Sequence, residues 1–146
     1  MPSVAENQIR TAKDLFEGYN EYTADAVLRS RADNCVHYIL PTSLNRPSKT
    51  NEEYREFFGP LQKVMHRFEV SLNLVNEIVN DPENHCAAVH ASGIGESPVA
   101  EYKNEYAFFL EFNETGDKIT KIEEFVDAAF SKNFLAKVLE WQAKQN

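Results

Sequence analysis

Four side chains carry the chemistry that the sequence offers: Glu124, Tyr102, Tyr106 and Arg31. Between residues 118 and 130, Ile122, Glu124, Val126 and Ala128 share one parity, against Lys121, Glu123, Phe125 and Asp127 on the other. Alternate residues of a strand face opposite sides. If the parity of Ile122 and Val126 is the core face, Glu124 is a carboxylate lodged among apolar neighbours. That is expensive unless the group is paired or hydrogen-bonded. Arg31 is the nearest candidate partner in the sequence. The pair reads equally as an ion pair that fixes a helix on the sheet or as an acid–base centre. One strand earlier, Tyr102, Tyr106, Phe108, Leu110 and Phe112 share the parity opposite to Lys103, Glu105, Ala107 and Glu111. Two phenol hydroxyls on the core side need partners or water, so they are either bonded core tyrosines or the polar tips of a pocket.

Other chemistries lack their residues. There is no G-x-G-x-x-G, P-loop, H-E-x-x-H or G-x-S-x-G, which removes support for nucleotide cofactors, phosphoryl transfer and the common hydrolase elbow. The histidines are His37, His66, His85 and His90. Cys35 and His37 share a strand face but do not make up the ligand set of a zinc site, and the odd spacing of His85 and His90 points them to opposite faces. Neither a metal nor a cofactor is expected. Cys35 and Cys86 sit singly in apolar stretches and read as buried thiols in a reducing compartment, with a disulfide as the alternative.

The elements that must position these groups follow from spacing. Ser3 and Glu6 form a capping box ahead of Ile9, Ala12, Leu15, Phe16 and Tyr19, which recur on one helical face; Gly18 and Asn20 weaken that helix near its end. Thr23 and Asp25 open a short second helix that ends near Arg31. A strand over 35–40 is stopped by Pro41. Thr50 and Glu53 make a second capping box before Tyr54, Phe57, Phe58, Leu61 and Val64, and Gly59-Pro60 predicts a kink or a restart. From His66 the period is two, with Phe68, Val70, Leu72 and Leu74 on one side. Turn signals at 80–84, 93–98 and 113–117 separate strands near 85–92, 100–112 and 118–130, and a last helix runs over 131–145. Helices followed by an antiparallel meander make an α+β fold with the helices on one side of the sheet. A strongly curved sheet would leave a cone-shaped cavity; a flat, helix-covered sheet fits the pattern as well.

A chain of 146 residues, 42% hydrophobic, is the size of a single domain spanning 1–146. With 15 Lys plus Arg against 23 Asp plus Glu, the net charge of −8 and the scattered basic residues argue against nucleic-acid or membrane-surface partners. The first residues have neither a basic start nor a signal-like apolar run, and no segment has the length of a membrane span, so an intracellular, cytoplasmic protein is expected.

The segment Arg31-Ala32-Asp33-Asn34-Cys35-Val36-His37-Tyr38-Ile39-Leu40-Pro41-Thr42-Ser43-Leu44-Asn45-Arg46-Pro47, the helix start Asn51-Glu52-Glu53-Tyr54, the run Tyr102-Lys103-Asn104-Glu105-Tyr106 and the run Ile122-Glu123-Glu124-Phe125-Val126-Asp127 together resemble the small fungal SnoaL-like isomerases. These belong to the nuclear transport factor 2-like superfamily, and the likeness runs over nearly the whole chain. The resemblance implies a cone-shaped curved sheet wrapped around the N-terminal helices. It also implies cofactor-free rearrangement of a polycyclic secondary metabolite, a meroterpenoid or an indole alkaloid as for the family's semipinacolases, by acid–base chemistry away from water. By position, Glu124, Arg31, Tyr106 and Tyr102 correspond to the family's polar pocket residues. Tyr38, Leu40, Phe57, Phe68, Leu72 and Phe108 are the expected substrate-binding lining. Leu40 stands before Pro41 where related ketosteroid isomerases place an acidic base, so enolisation by that base is not expected. A binding or protein-association module using the same cone remains the alternative. The apolar outward parity of Ala107, Phe109 and Phe125 leads to the expectation of a homodimer through the outer sheet face.

Overall fold

The helical spacing of the first third and the alternation of the rest resolve into a layer of helices inside a curved sheet. The computed structural model describes residues 1–65, 67–72 and 78–145, with 67–72 as backbone. His66, Leu74 and the side chains of Phe68 and Leu72 lie outside the described residues.

Helix α1 (Val4–Glu21) starts at Ser3, whose hydroxyl accepts from the Glu6 amide while the Glu6 carboxylate accepts from the Ser3 amide. Ala12, Leu15, Phe16 and Tyr19 are buried as expected, but Ile9 is 37% exposed. The inward stripe runs instead through Gln8 and Thr11, whose polar tips are bonded to Asn80 and to the carbonyl of Gly116. Thr23 caps α2 (Ala24–Leu28). The two helices meet at Gly18, where a Cβ would come within 2.2 Å of the Ala26 carbonyl oxygen. Arg31 does not end α2; it opens strand β1 (Arg31–Leu40), because the ladder to the last strand begins there.

A 3₁₀ turn and β2 (Lys49–Thr50) lead into α3 (Asn51–Val64), started by the Thr50–Glu53 capping box. Of the kink or restart expected at Gly59-Pro60, the restart does not occur, and the helix continues through Pro60. Burial of Tyr54 and Phe58 before the proline and of Val64 after it holds one face against the core and offsets the lost hydrogen bond.

The remaining strands are β3 (Arg67–Leu72), β4 (Ile78–Asp81), β5 (Cys86–Glu96), β6 (Tyr102–Phe112) and β7 (Ile119–Val126). Residues 93–96 belong to β5 rather than to a turn, since Gly93 and Gly95 stay in register with Val70 and Phe68. Strand β7 is shorter than the alternation suggests, and α4 (Ala128–Gln145) takes over with the Asp127 carboxylate accepting from the Phe130 amide. The sheet order is β2-β1-β7-β6-β5-β3, with β4 also on β5. Every pairing is antiparallel except β1 with β7, which is parallel. The fold is thus the expected α+β cone, with one parallel joint in an otherwise antiparallel sheet.

Gly18→Ala would normally strengthen a helix by about 1 kcal/mol. Here the close approach of α2 reverses the sign, since forced overpacking costs about 1–3 kcal/mol or more. The variant is expected to melt about 5 °C below the parent by circular dichroism; an unchanged or raised melting temperature would contradict the contact.

Candidate functional site

The parallel joint sets His37 beside Ile122 and Ile39 beside Glu124. Residues two apart on a strand share a face, so His37 and Glu124 both point inward. His37 is 1% exposed, and its Nε2 lies 2.9 Å from Glu124 Oε1. Burial is the main influence on the imidazole and lowers its pKa below the ordinary 6.5. His37 is therefore neutral at pH 7. A carboxylate only accepts, so the single imidazole proton sits on Nε2 and is donated to Glu124. The buried Nδ1 has no hydrogen-bond partner.

Glu124 is thus bonded to a histidine and not to Arg31, as the sequence suggested. Arg31 is buried elsewhere: its guanidinium carbon lies 4.3 Å from the centroid of the Tyr54 ring, and Nη2 donates to the Tyr19 hydroxyl at 3.4 Å. The aromatic face supplies part of what a buried cation loses in leaving water. Arg31 does not line the cavity; Tyr19 and Tyr54, which it touches, do.

Phenols supply the other polar groups. On β6 the hydroxyls of Tyr102 and Tyr106 are hydrogen-bonded to each other, and Asn104 Nδ2 donates to the Tyr102 oxygen at 2.9 Å and to Ser131 Oγ at 3.0 Å. Tyr19 and Tyr54 are joined at 2.8 Å. Burial pushes the Tyr54 and Tyr102 phenols up to about 12 and holds those of Tyr19 and Tyr106 well above the usual 10. All four stay protonated at neutral pH; in each pair one proton is spent on the partner hydroxyl, which leaves one O–H per pair to give to an oxygen that gains charge.

These groups stand on the wall of a cavity of about 470 Å³ that is otherwise mainly apolar. Helix α4 forms one side of its mouth with Phe134, Leu135, Val138 and Leu139, and is fixed to β6 by the Tyr102 ring against Phe130 and Phe134. Glu124, Tyr102, Tyr106, Phe57 and Phe108 line the cavity as expected from sequence. Tyr38 and Leu40 do not. His37 and Ile39 take the inward parity of β1, so Tyr38 lies on the outer face, 38% exposed, under the Lys121 ammonium. The expected lining residues Phe68 and Leu72 fall outside the described side chains. His37, Tyr54, Asn104 and the α4 residues were not anticipated. Asn104 shares the parity of Tyr102 and His37 that of Cys35, so both had a signal; nothing in the spacing of α4 told that its apolar side would meet a cavity. His90 is on the outer face with Glu105, at 2.8 Å. Among the described residues no three His, Cys, Asp or Glu side chains converge as metal ligands, and no helix is long and apolar enough to cross a membrane.

The second oxygen of Glu124 makes no hydrogen bond among the described residues, and the carboxylate faces the cavity. The arrangement can take a proton from a bound molecule, return it, and hold the molecule's oxygen atoms with phenols while excluding water.

No protein-family model matches the chain. A monooxygenase of Aspergillus aculeatus, AacuP, is 32% identical over 138 residues, covering 94% of this chain and 93% of that protein. A monooxygenase of Aspergillus novofumigatus, nsrQ, is 32% identical over 143 residues, 98% of this chain and 93% of its own. Among solved structures, the BvnE pinacolase of Penicillium brevicompactum superposes with a TM-score of 0.90 at 26% identity, covering 96% of both chains.

Because the folded protein resists protonating His37 whereas the unfolded chain takes up that proton near pH 6.5, stability falls as pH drops through that value and is fully present above it. Between pH 7 and 5.5 this one group accounts for up to about 1 kcal/mol. A His37→Gln variant should therefore show a flatter dependence of urea midpoint on pH than the parent. Parallel slopes would mean that His37 is not held neutral.

Proposed function

We propose a rearrangement chemistry for this chain, which belongs to the small fungal SnoaL-like family of the nuclear transport factor 2-like fold. The reaction is a cofactor-independent isomerisation of a polycyclic secondary metabolite, of the meroterpenoid or indole-alkaloid kind. The observation that carries it is the carboxylate of Glu124, aimed by a neutral His37 into an apolar cavity beside protonated phenols. Glu124 takes a proton from a carbon or hydroxyl of the substrate, the skeleton shifts, and the same carboxyl returns the proton, so the product has the substrate's composition. The joined Tyr102–Tyr106 pair holds the oxygen that gains charge through the O–H not spent within the pair, and His37 keeps the carboxylate oriented. Arg31 acts at one remove, as a positioning residue beneath Tyr19 and Tyr54.

The pinacolase name of BvnE supports this reading. The name monooxygenase of AacuP and nsrQ favours a second one, oxygenation in the same cavity. The test is to incubate the purified protein under ¹⁸O₂ with the substrates of BvnE and of the monooxygenase-named relatives. A product of unchanged mass is expected, and one heavier by a labelled oxygen atom would replace isomerisation with oxygenation. Turnover of none of them, with tight binding, would favour a carrier.

Glu124→Gln keeps the shape and removes the titratable group. It is expected to lower kcat about 10²–10⁴-fold with its melting temperature nearly kept, and Tyr106→Phe to lose less. A folded Glu124→Gln protein with full turnover would remove Glu124 from the mechanism.

We propose further that two copies associate through the outer sheet face. Phe109 and Phe125 are 46% and 42% exposed on neighbouring strands, and Ala107 stands opposite Phe125. Contiguous apolar surface of this kind favours burial against a second copy. Light scattering at micromolar concentration should give twice the chain mass, falling to a single chain for Phe109→Glu. A monomeric parent would overturn the dimer.

A further inference from the structure

Two cations line the cavity of an acidic protein. Lys49 and Arg46 both reach it, and neither forms an ion pair among the described residues. With 23 acidic residues in the chain, carboxylates are not scarce. Among the described residues, the one acidic side chain of the cavity wall, Glu124, has its bond to His37.

The placement of Lys49 is set by the backbone. It is the register partner of His37 across the β1–β2 pair, so the two side chains stand side by side on the same face. The ammonium lies 4.6 Å from the centroid of the Phe57 ring and 3.4 Å from the Pro47 carbonyl oxygen, two weak contacts for a cation in a partly closed space. Burial lowers its pKa first and the charge of Arg46 lowers it further, against the raising influence of the Glu124 and Glu53 carboxylates. Two like charges near one another beside apolar walls repel, and an anion between them would relieve both the repulsion and the loss of solvation.

We infer that Lys49 and Arg46 form an anion seat at the mouth of the cavity, and that the ligand is an acidic polycycle, one that carries a carboxylate or a comparably charged oxygen group. The apolar rings would occupy the space lined by Phe58, Phe108 and Leu139, with the anion held beside His37. The seat fixes which end of the ligand enters first and therefore which atom meets Glu124. The inference rests on the reading of the cavity as the substrate site.

The probes are anthracene-2-carboxylate and anthracene-2-carboxamide, alike in shape and different in charge, titrated by their fluorescence into the parent, Lys49→Met, Arg46→Gln and the double variant. At low salt the carboxylate is expected to bind the parent about tenfold tighter than the amide, as charge-assisted hydrogen bonds exceed neutral ones. The advantage should shrink as salt is raised and vanish in the double variant, with the amide's affinity unchanged. Equal affinity of the two probes for the parent would overturn the anion seat and leave the proposed function standing. An advantage that survives in a folded double variant would overturn it too. If neither probe binds the parent, the cavity is not a site for polycycles, and both readings fall together. The parent's own salt dependence decides the matter should the variants not fold.

Discussion

The parallel pairing of β1 with β7 is the constraint on which the site depends. It brings a histidine from the first strand next to a glutamate from the last one, across 87 residues of chain, and closes a 2.9 Å hydrogen bond between them. A parallel pair needs a crossover, and here the crossover is everything between: β2, α3 and the antiparallel strands β3 to β6. Were β1 to slip by one residue, His37 and Ile39 would exchange faces with Tyr38 and Leu40, and Glu124 would face the cavity without its donor.

The polar groups inside the cone are costly, and their surroundings offset the cost in recognisable ways. His37 lies flat on Tyr54, with centroids 5.0 Å apart and planes within 7°. The same Tyr54 ring receives the Arg31 guanidinium on its π system and bonds Tyr19 through its hydroxyl. One side chain of α3 thus serves an imidazole, a cation and a phenol together. Beneath them Phe16 meets Phe108 edge-on at 5.1 Å, and the apolar core takes over. Buried groups without full pairing, such as Nδ1 of His37, are features that a protein selected for stability alone would replace.

A shared fold leaves the chemistry open, because function sits in side chains placed on the fold. The similar proteins make the point by their names, a pinacolase at 26% identity and monooxygenases at 32%. In this chain α4 brings Leu135 and Leu139, 44% and 56% exposed, to the cavity. Changes there would alter the shape admitted without disturbing the His37–Glu124 pair on the sheet.

Sequence by itself determined what is local. Both capping boxes, the inward parity of Tyr102 and Tyr106 and the apolar company of Glu124 follow from rules that span a few residues, and the structure has all of them. Family resemblance extended this to the cone. Tertiary structure decided what depends on residues far apart. The partner of Glu124 was assigned to Arg31 from its place at the end of a helix, but the parallel register supplies His37, and no local pattern encodes which strand neighbours which. Resemblance names Tyr38 and Leu40 as lining, whereas the unbroken register from Val36 to Leu40 puts His37 and Ile39 inward, which can be counted only once an inward residue is known. Gly59-Pro60 reads as a kink or a restart and the glycines of β5 as a turn, yet propensity is a weak preference of a few tenths to about 3 kcal/mol per residue. Packing of Tyr54, Phe58 and Val64, and the ladder from β5 to β3, outweigh it only in the assembled molecule.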